Sequence, residues 1–119
     1  MTKTARILVI ERDNAIRDFV SMALSDEGYV VRTADNEISS LSLLTAFHPD
    51  LVILDILPHS KGEQRFIQTY RETSPSAPVV GWGTSADAKK HAQALHMTDY
   101  LEKPFNLDDL LGILTKHLQ

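Results

Sequence analysis

Apolar residues fall along this chain in two alternating rhythms. Short runs rich in β-branched residues, ARILVI (5–10), YVVRT (29–33), DLVIL (50–54) and APVV (77–80), are separated by longer stretches of helical period. In the first of these stretches Ile16, Phe19, Val20, Ala23 and Leu24 recur at spacings of three and four. The pattern predicts strands over 6–10, 29–33, 51–54, 78–82 and 98–101, and helices over 14–27, 37–47, 62–73, 86–95 and 107–118. Asn36 and Asn106 stand where helices should start, Gly28 where the first should stop, and Pro49 and Pro78 just ahead of strands. The last helix carries the clearest stripe, Leu107, Leu110, Leu111, Leu114 and Leu118, whereas 86–95 is rich in alanine and short of large apolar anchors.

Five strand and helix pairs in alternation describe an α/β protein. The strands are apolar nearly throughout rather than at every second position, as expected of a parallel sheet covered by helices on both faces. A length of 119 residues, 43% of them hydrophobic, fits one domain spanning 1–119. A net charge of −4 with no cluster of Lys and Arg argues against direct contact with nucleic acid. Cysteine is absent, which excludes disulfides, thiolate catalysis and Cys-ligated zinc. No apolar run approaches the roughly eighteen residues a membrane helix needs, so no membrane partner is expected and the expected location is the cytoplasm.

In an open parallel sheet, ligands bind beyond the carboxyl ends of the strands where strand order changes direction. The polar residues at those ends are therefore the candidates for chemistry. They are Glu11-Arg12-Asp13, Asp55 after the apolar run 51–54, Gly83-Thr84-Ser85, and Glu102-Lys103-Pro104-Phe105. Bland roles stay open on spacing alone: Asp55 as a loop or helix cap, Lys103 as a solvated lysine, Tyr100 as ordinary sheet packing.

Four segments in order, ILVIERDNAIR, the helix ending in EGYVV, HPDLVILDI and YLEKPFNLDDLL, together resemble the receiver domains of two-component response regulators. The resemblance covers nearly the whole chain. It implies a flavodoxin-like (CheY-like) doubly wound sheet of five parallel strands in the order 2-1-3-4-5, with five helices. It implies that Asp55 accepts a phosphoryl group from a histidine kinase or phosphotransfer protein. Lys103 and Thr84 would contact that group, and Glu11, Asp55 and the Leu57 carbonyl would hold Mg2+. The Lys103-Pro104 bond would be cis, Tyr100 a rotamer switch, and helix 4, strand 5 and helix 5 (86–118) the face for a downstream protein. A homodimer is left open, as is a longer parent regulator.

Three departures from the family pattern bear on the site. Where receivers usually carry two adjacent acids after the first strand, this chain reads Glu11-Arg12, so a metal slot that wants oxygen ligands receives a fixed cation instead. Arg12 is expected to occupy or repel from that slot, to pair with Asp55 or Glu11, and to weaken Mg2+ binding and hence phosphotransfer. Two residues rather than the usual three separate Asp55 from Pro58. Gly83 aligns with the usual Thr or Ser, so that Thr84 or Ser85 would serve only with a register shift. Trp82, between two glycines, reads either as core filling or as a wall of the altered pocket. His96, where the family prefers a small Gly before strand 5, reads as a turn residue, and His48 and His59 lack a metal-ligand partner spacing.

Two functions compete within this resemblance, a phosphorylation switch and a degenerate receiver that binds protein without phosphorylation. An enzyme is disfavoured. Haloacid-dehalogenase-like phosphatases need an acid two residues after the nucleophile, where this chain has Leu57, and a flavodoxin or dinucleotide-binding protein needs a phosphate-cradling loop where ERDNA has no glycine.

Overall fold

The computed structural model describes residues 4–57, 62–74 and 77–118. Its elements alternate throughout: β1 (Arg6–Ile10), α1 (Asn14–Asp26), β2 (Val30–Ala34), α2 (Leu41–Phe47), β3 (Leu51–Asp55), α3 (Gly62–Thr73), β4 (Val79–Gly83), α4 (Ala86–Ala94), β5 (Asp99–Glu102) and α5 (Leu107–Leu118). All neighbouring strands pair in parallel, in the order β2-β1-β3-β4-β5. Pro58 and His59 lie outside the described residues.

Burial explains why the strands read as unbroken apolar runs. Every residue of β3 and β4 is buried, and alternate side chains feed two separate cores. Leu8, Ile10, Val52 and Leu54 pack against α2, α3 and α4 through Leu44, Phe47, Phe66, Tyr70, Ala88 and Ala92. Ile7, Val9, Leu51, Ile53, Val80 and Trp82 pack against α1 and α5 through Val20, Leu24, Leu110 and Leu114. The alanine-rich α4 needs no large anchors because Ala88 and Ala92 sit flush against the sheet, where a larger side chain would hold the helix off.

Helix ends follow the expected chemistry, with one exception. Asp13 caps α1 by accepting the Ile16 N–H at 3.0 Å, and Gly28 ends that turn in the left-handed region at φ 96°, where a Cβ would be strained. The exception is α2, which starts at Leu41 rather than near residue 37. Asn36 accepts the Ser39 N–H at 2.8 Å and the Ser40 hydroxyl donates to the Glu37 carbonyl at 2.7 Å. These side chains satisfy the backbone locally and hold 37–40 as turns instead of helix.

Candidate functional site

The chain order 2-1-3 places β1 at the centre of a change of direction, so the loops after β1 and β3 diverge and leave a crevice between their carboxyl ends. Glu11 follows the last residue of β1 and is 1% exposed; Asp55, the last residue of β3, is 6% exposed. Register brings Ile10 beside Leu54, so the two acids project from adjacent strand tips. Lys103 arrives from beyond β5, its N–H donating to the Gly83 carbonyl at 2.7 Å, and the Lys103-Pro104 peptide is cis.

These groups form one chain of charges. The Lys103 ammonium donates to Asp55 Oδ1 at 3.2 Å and to Glu11 Oε1. Arg12 approaches the other Asp55 oxygen, Nη1 to Oδ2, at 3.4 Å, and its second nitrogen donates to Glu37 Oε2 at 2.8 Å. Burial raises the Glu11 carboxyl above the usual range and the adjacent Asp55 carboxylate adds to it, with Lys103 only partly opposing. The indole of Trp82 forms the floor: the Lys103 nitrogen lies 5.2 Å from the ring centroid, and Phe105 stacks on Trp82 at 5.1 Å. Trp82 therefore fills core volume and also touches the site lysine.

The remaining expected site residues are placed as follows. Leu57 is 41% exposed, and its N–H donates to Glu63 Oε1 at 3.1 Å. Thr84 is exposed and lines an apolar groove of about 500 Å³ with Ile16, Phe19, Lys103, Pro104 and Phe105. Ser85 is the N-cap of α4, accepting the Ala88 N–H at 3.1 Å. Asp13 is committed to capping α1. The Tyr100 hydroxyl lies at the Ser85 carbonyl at 3.5 Å, and burial and the charge of Glu102 both raise its pKa.

Gly83 is enclosed by its neighbours. A Cβ built there would lie 2.8 Å from Ala88 Cβ and 3.0 Å from the Tyr100 hydroxyl. Gly83→Thr is therefore expected to destabilise the fold by about 1–3 kcal/mol, the usual range for overpacking, and to expel the phenol. Urea unfolding with Tyr100 accessibility followed by NMR checks this; a variant as stable as the parent would show that the strand end has spare room.

Three participants escaped sequence reasoning. Glu37, 5% exposed, falls within the helix that periodicity predicts over 37–47, although it follows β2 closely enough to count as another strand-end acid. Glu63, fully buried, falls on the Phe66, Ile67 and Tyr70 stripe of α3, an acid at an apolar position that helical spacing makes visible. Arg17 Nη1 donates to the Glu11 carbonyl at 2.8 Å, one turn into α1.

Comparison with known proteins identifies the family. The family model described as the response regulator receiver domain matches residues 7–115. The chain belongs to the receiver domain family. The regulatory protein AtoC of Escherichia coli K12 is 30% identical over all of the chain, which covers 26% of that relative. The response regulator MprA of Mycobacterium sp. strain KMS is 31% identical over 90% of the chain and 47% of the relative. The chain thus spans less than half the length of these curated relatives. Among solved structures, chemotaxis protein CheY4 of Vibrio cholerae superposes with a TM-score of 0.82 at 29% identity, covering 97% of this chain and 99% of that one. NtrX of Brucella abortus superposes at 0.84 with 33% identity, over 98% of this receiver and 27% of that chain.

Receivers interact with histidine kinases and downstream effector domains, and generally bind Mg2+ at an acidic site. The donor set here does not fit that ion. Mg2+ demands near-octahedral oxygen ligands. In this receiver Glu11 is engaged by Lys103, the Arg12 guanidinium lies against Asp55, and the described residues contain no group of three or more His, Asp or Glu able to hold a metal. No helix among the described residues is long and apolar enough to cross a membrane.

Proposed function

We propose that this receiver accepts a phosphoryl group on Asp55 and passes the change in charge to a protein-binding face. The observation that carries the reading is the pair of cations bracketing Asp55, Lys103 at 3.2 Å from one oxygen and Arg12 at 3.4 Å from the other. In phosphoryl transfer the protein contributes chiefly position and charge stabilisation. An Asp55 oxygen attacks the phosphorus of a phosphohistidine or a small phosphoramidate. The O–P bond forms as the P–N bond breaks, and the electron pair returns to the leaving nitrogen, which takes up a proton. Lys103 meets the charge developing on the phosphoryl oxygens.

The face that would read out the event is α4, β5 and α5. A groove of about 380 Å³ between α4 and β5 is lined by Lys89, Gln93, Met97, Tyr100 and Glu102. Tyr100 belongs both to this groove and to the wall around Gly83, so its rotation would alter the surface a partner meets. A ligand or modification shifts such an equilibrium only through unequal interaction with its two states. The histidine kinase or phosphotransfer donor and the downstream protein are the partners this reading requires.

One observation favours a second reading, a receiver that binds its partner without phosphorylation: Gly83 presents no hydroxyl toward Asp55 and its surroundings leave no space for one. Incubation with phosphoramidate followed by intact mass separates the two. The wild-type chain is expected to gain one phosphoryl mass that alkali or hydroxylamine removes, and Asp55→Asn none. A wild-type chain that never gains mass would support the phosphorylation-independent module and count against the switch.

A further inference from the structure

We propose that Arg12 is the resident cation of this site and does the divalent ion's work, neutralising the phosphoryl group on Asp55 while Glu37 holds the guanidinium in place. The proposal rests on the reading of Asp55 as the acceptor. It starts from the mismatch between the donor set and Mg2+, and from what stands there instead.

Arg12 bridges two carboxylates unequally. Its bond to Glu37, at 2.8 Å, is of normal length, whereas the 3.4 Å contact to Asp55 is long. Asp55 Oδ2 is thus accompanied by a positive charge without being locked in a tight bidentate pair, and it keeps its nucleophilic lone pairs. Exposure is also graded. The Arg12 side chain is 31% exposed against 8% for Asp55, so a phosphoryl group entering from solvent meets the guanidinium on its way to the carboxylate.

Glu37 is held in its own recess. A Cβ on Gly62 would fall 2.1 Å from Glu37 Oε1, so the glycine leaves the space that the buried carboxylate fills. With Glu37 anchored, Arg12 presents a planar fork whose geometry matches two phosphoryl oxygens. Conversion of the Asp55 carboxylate to an acyl phosphate adds negative charge at that point, which strengthens its pull on Arg12 relative to Glu37. Arg12 and Lys103 then neutralise the group from two sides, as a metal and a lysine otherwise would. Arg12 would touch the reacting oxygens; Glu37 is a positioning residue.

The consequence is metal-independent phosphorylation. Wild-type protein treated with phosphoramidate in EDTA should gain phosphoryl mass at the same rate as in excess Mg2+. Arg12→Ala should slow by roughly a hundredfold in EDTA, the usual loss for one charge-stabilising donor. Should Arg12→Ala fail to fold by thermal melting, Arg12→Gln, which keeps an amide donor toward Glu37, is expected to show the same loss. Arg12→Asp should be modified only when Mg2+ is added. A wild-type chain modified only with Mg2+, beside an Arg12→Asp variant modified in Mg2+, overturns the proposal and leaves the acceptor reading standing. Arg12 variants modified in EDTA as fast as the parent also overturn it. If neither the wild type nor Arg12→Asp in Mg2+ takes a phosphoryl group, the acceptor reading falls and this proposal with it.

Discussion

Arg12→Asp is expected to turn a site that ignores Mg2+ into one that binds it. In the parent, titration with Mg2+ should leave the fluorescence of Trp82 without a saturable response at micromolar metal. In the variant a saturable response should appear, because the indole lies 5.2 Å beneath the Lys103 nitrogen and a metal on Glu11 would compete with that lysine. Two unit charges about 4 Å apart interact by roughly 4 kcal/mol at an effective dielectric near 20. The substitution removes a repulsion with a dication and adds an attraction. After a discount for the partial exposure of Arg12, a gain of about tenfold or more in affinity, some 1.4 kcal/mol, is a conservative expectation.

A second readout accompanies the first. Without metal, Arg12→Asp places another carboxylate beside Glu11, Asp55 and Glu37 and removes a cation that two of them share, so the metal-free variant should melt below the parent. Ligand binding to the folded state raises the melting temperature in proportion to RT ln(1 + [L]/Kd), and Mg2+ should restore much of the loss. A parent chain that bound Mg2+ at micromolar concentration would show that Arg12 swings clear of the slot at little cost, and the electrostatic account of the site would fail.

Trp82→Ala is expected to cost about 3–5 kcal/mol of unfolding free energy, the range for removing a large buried aromatic side chain. Trp82 is fully buried in the core beneath α1 and α5 and stacks on Phe105 at an interplanar angle of 18°. A domain of this size is stable by only about 5–15 kcal/mol, so the variant should lose roughly a fifth or more of its stability. Trp82→Phe should be far milder, under about 2 kcal/mol. It keeps an aromatic ring for Phe105 and Lys103, and it removes an indole N–H that is buried and has no hydrogen-bond partner among the described residues. Denaturant unfolding of both variants checks the order; an alanine variant within about 1 kcal/mol of the parent would mean that the core collapses into the space and that the indole serves the site alone.

Much of the fold was legible because its signals are local or periodic. Period in the apolar residues located all ten elements, and unbroken apolar runs announced a parallel sheet with two covered faces. The start of α2 was misread since Asn36, Ser39 and Ser40 look equally suited to starting a helix and to closing turns. At the site, the strand-end rule and the family resemblance singled out Glu11, Asp55, Lys103 and Arg12, which share one charged cluster.

Which residue types reach the carboxyl edge of the sheet follows from the order of residues alone, because strand length and register place whatever follows each apolar run at that edge. That order also places a guanidinium, Arg12, where the family pattern has an acid. Which carboxylate holds Arg12 depends on packing between distant elements. Glu37 is 25 residues away along the chain, and its reach to the site depends on the turns before α2 and on a missing Cβ at Gly62. Tertiary structure likewise decided that Gly83 has no space for a hydroxyl-bearing side chain, because the limiting atoms belong to Ala88 and Tyr100 on α4 and β5. Composition and periodicity can assign a face to each residue, but the distance between side chains on different elements is set by how the layers pack.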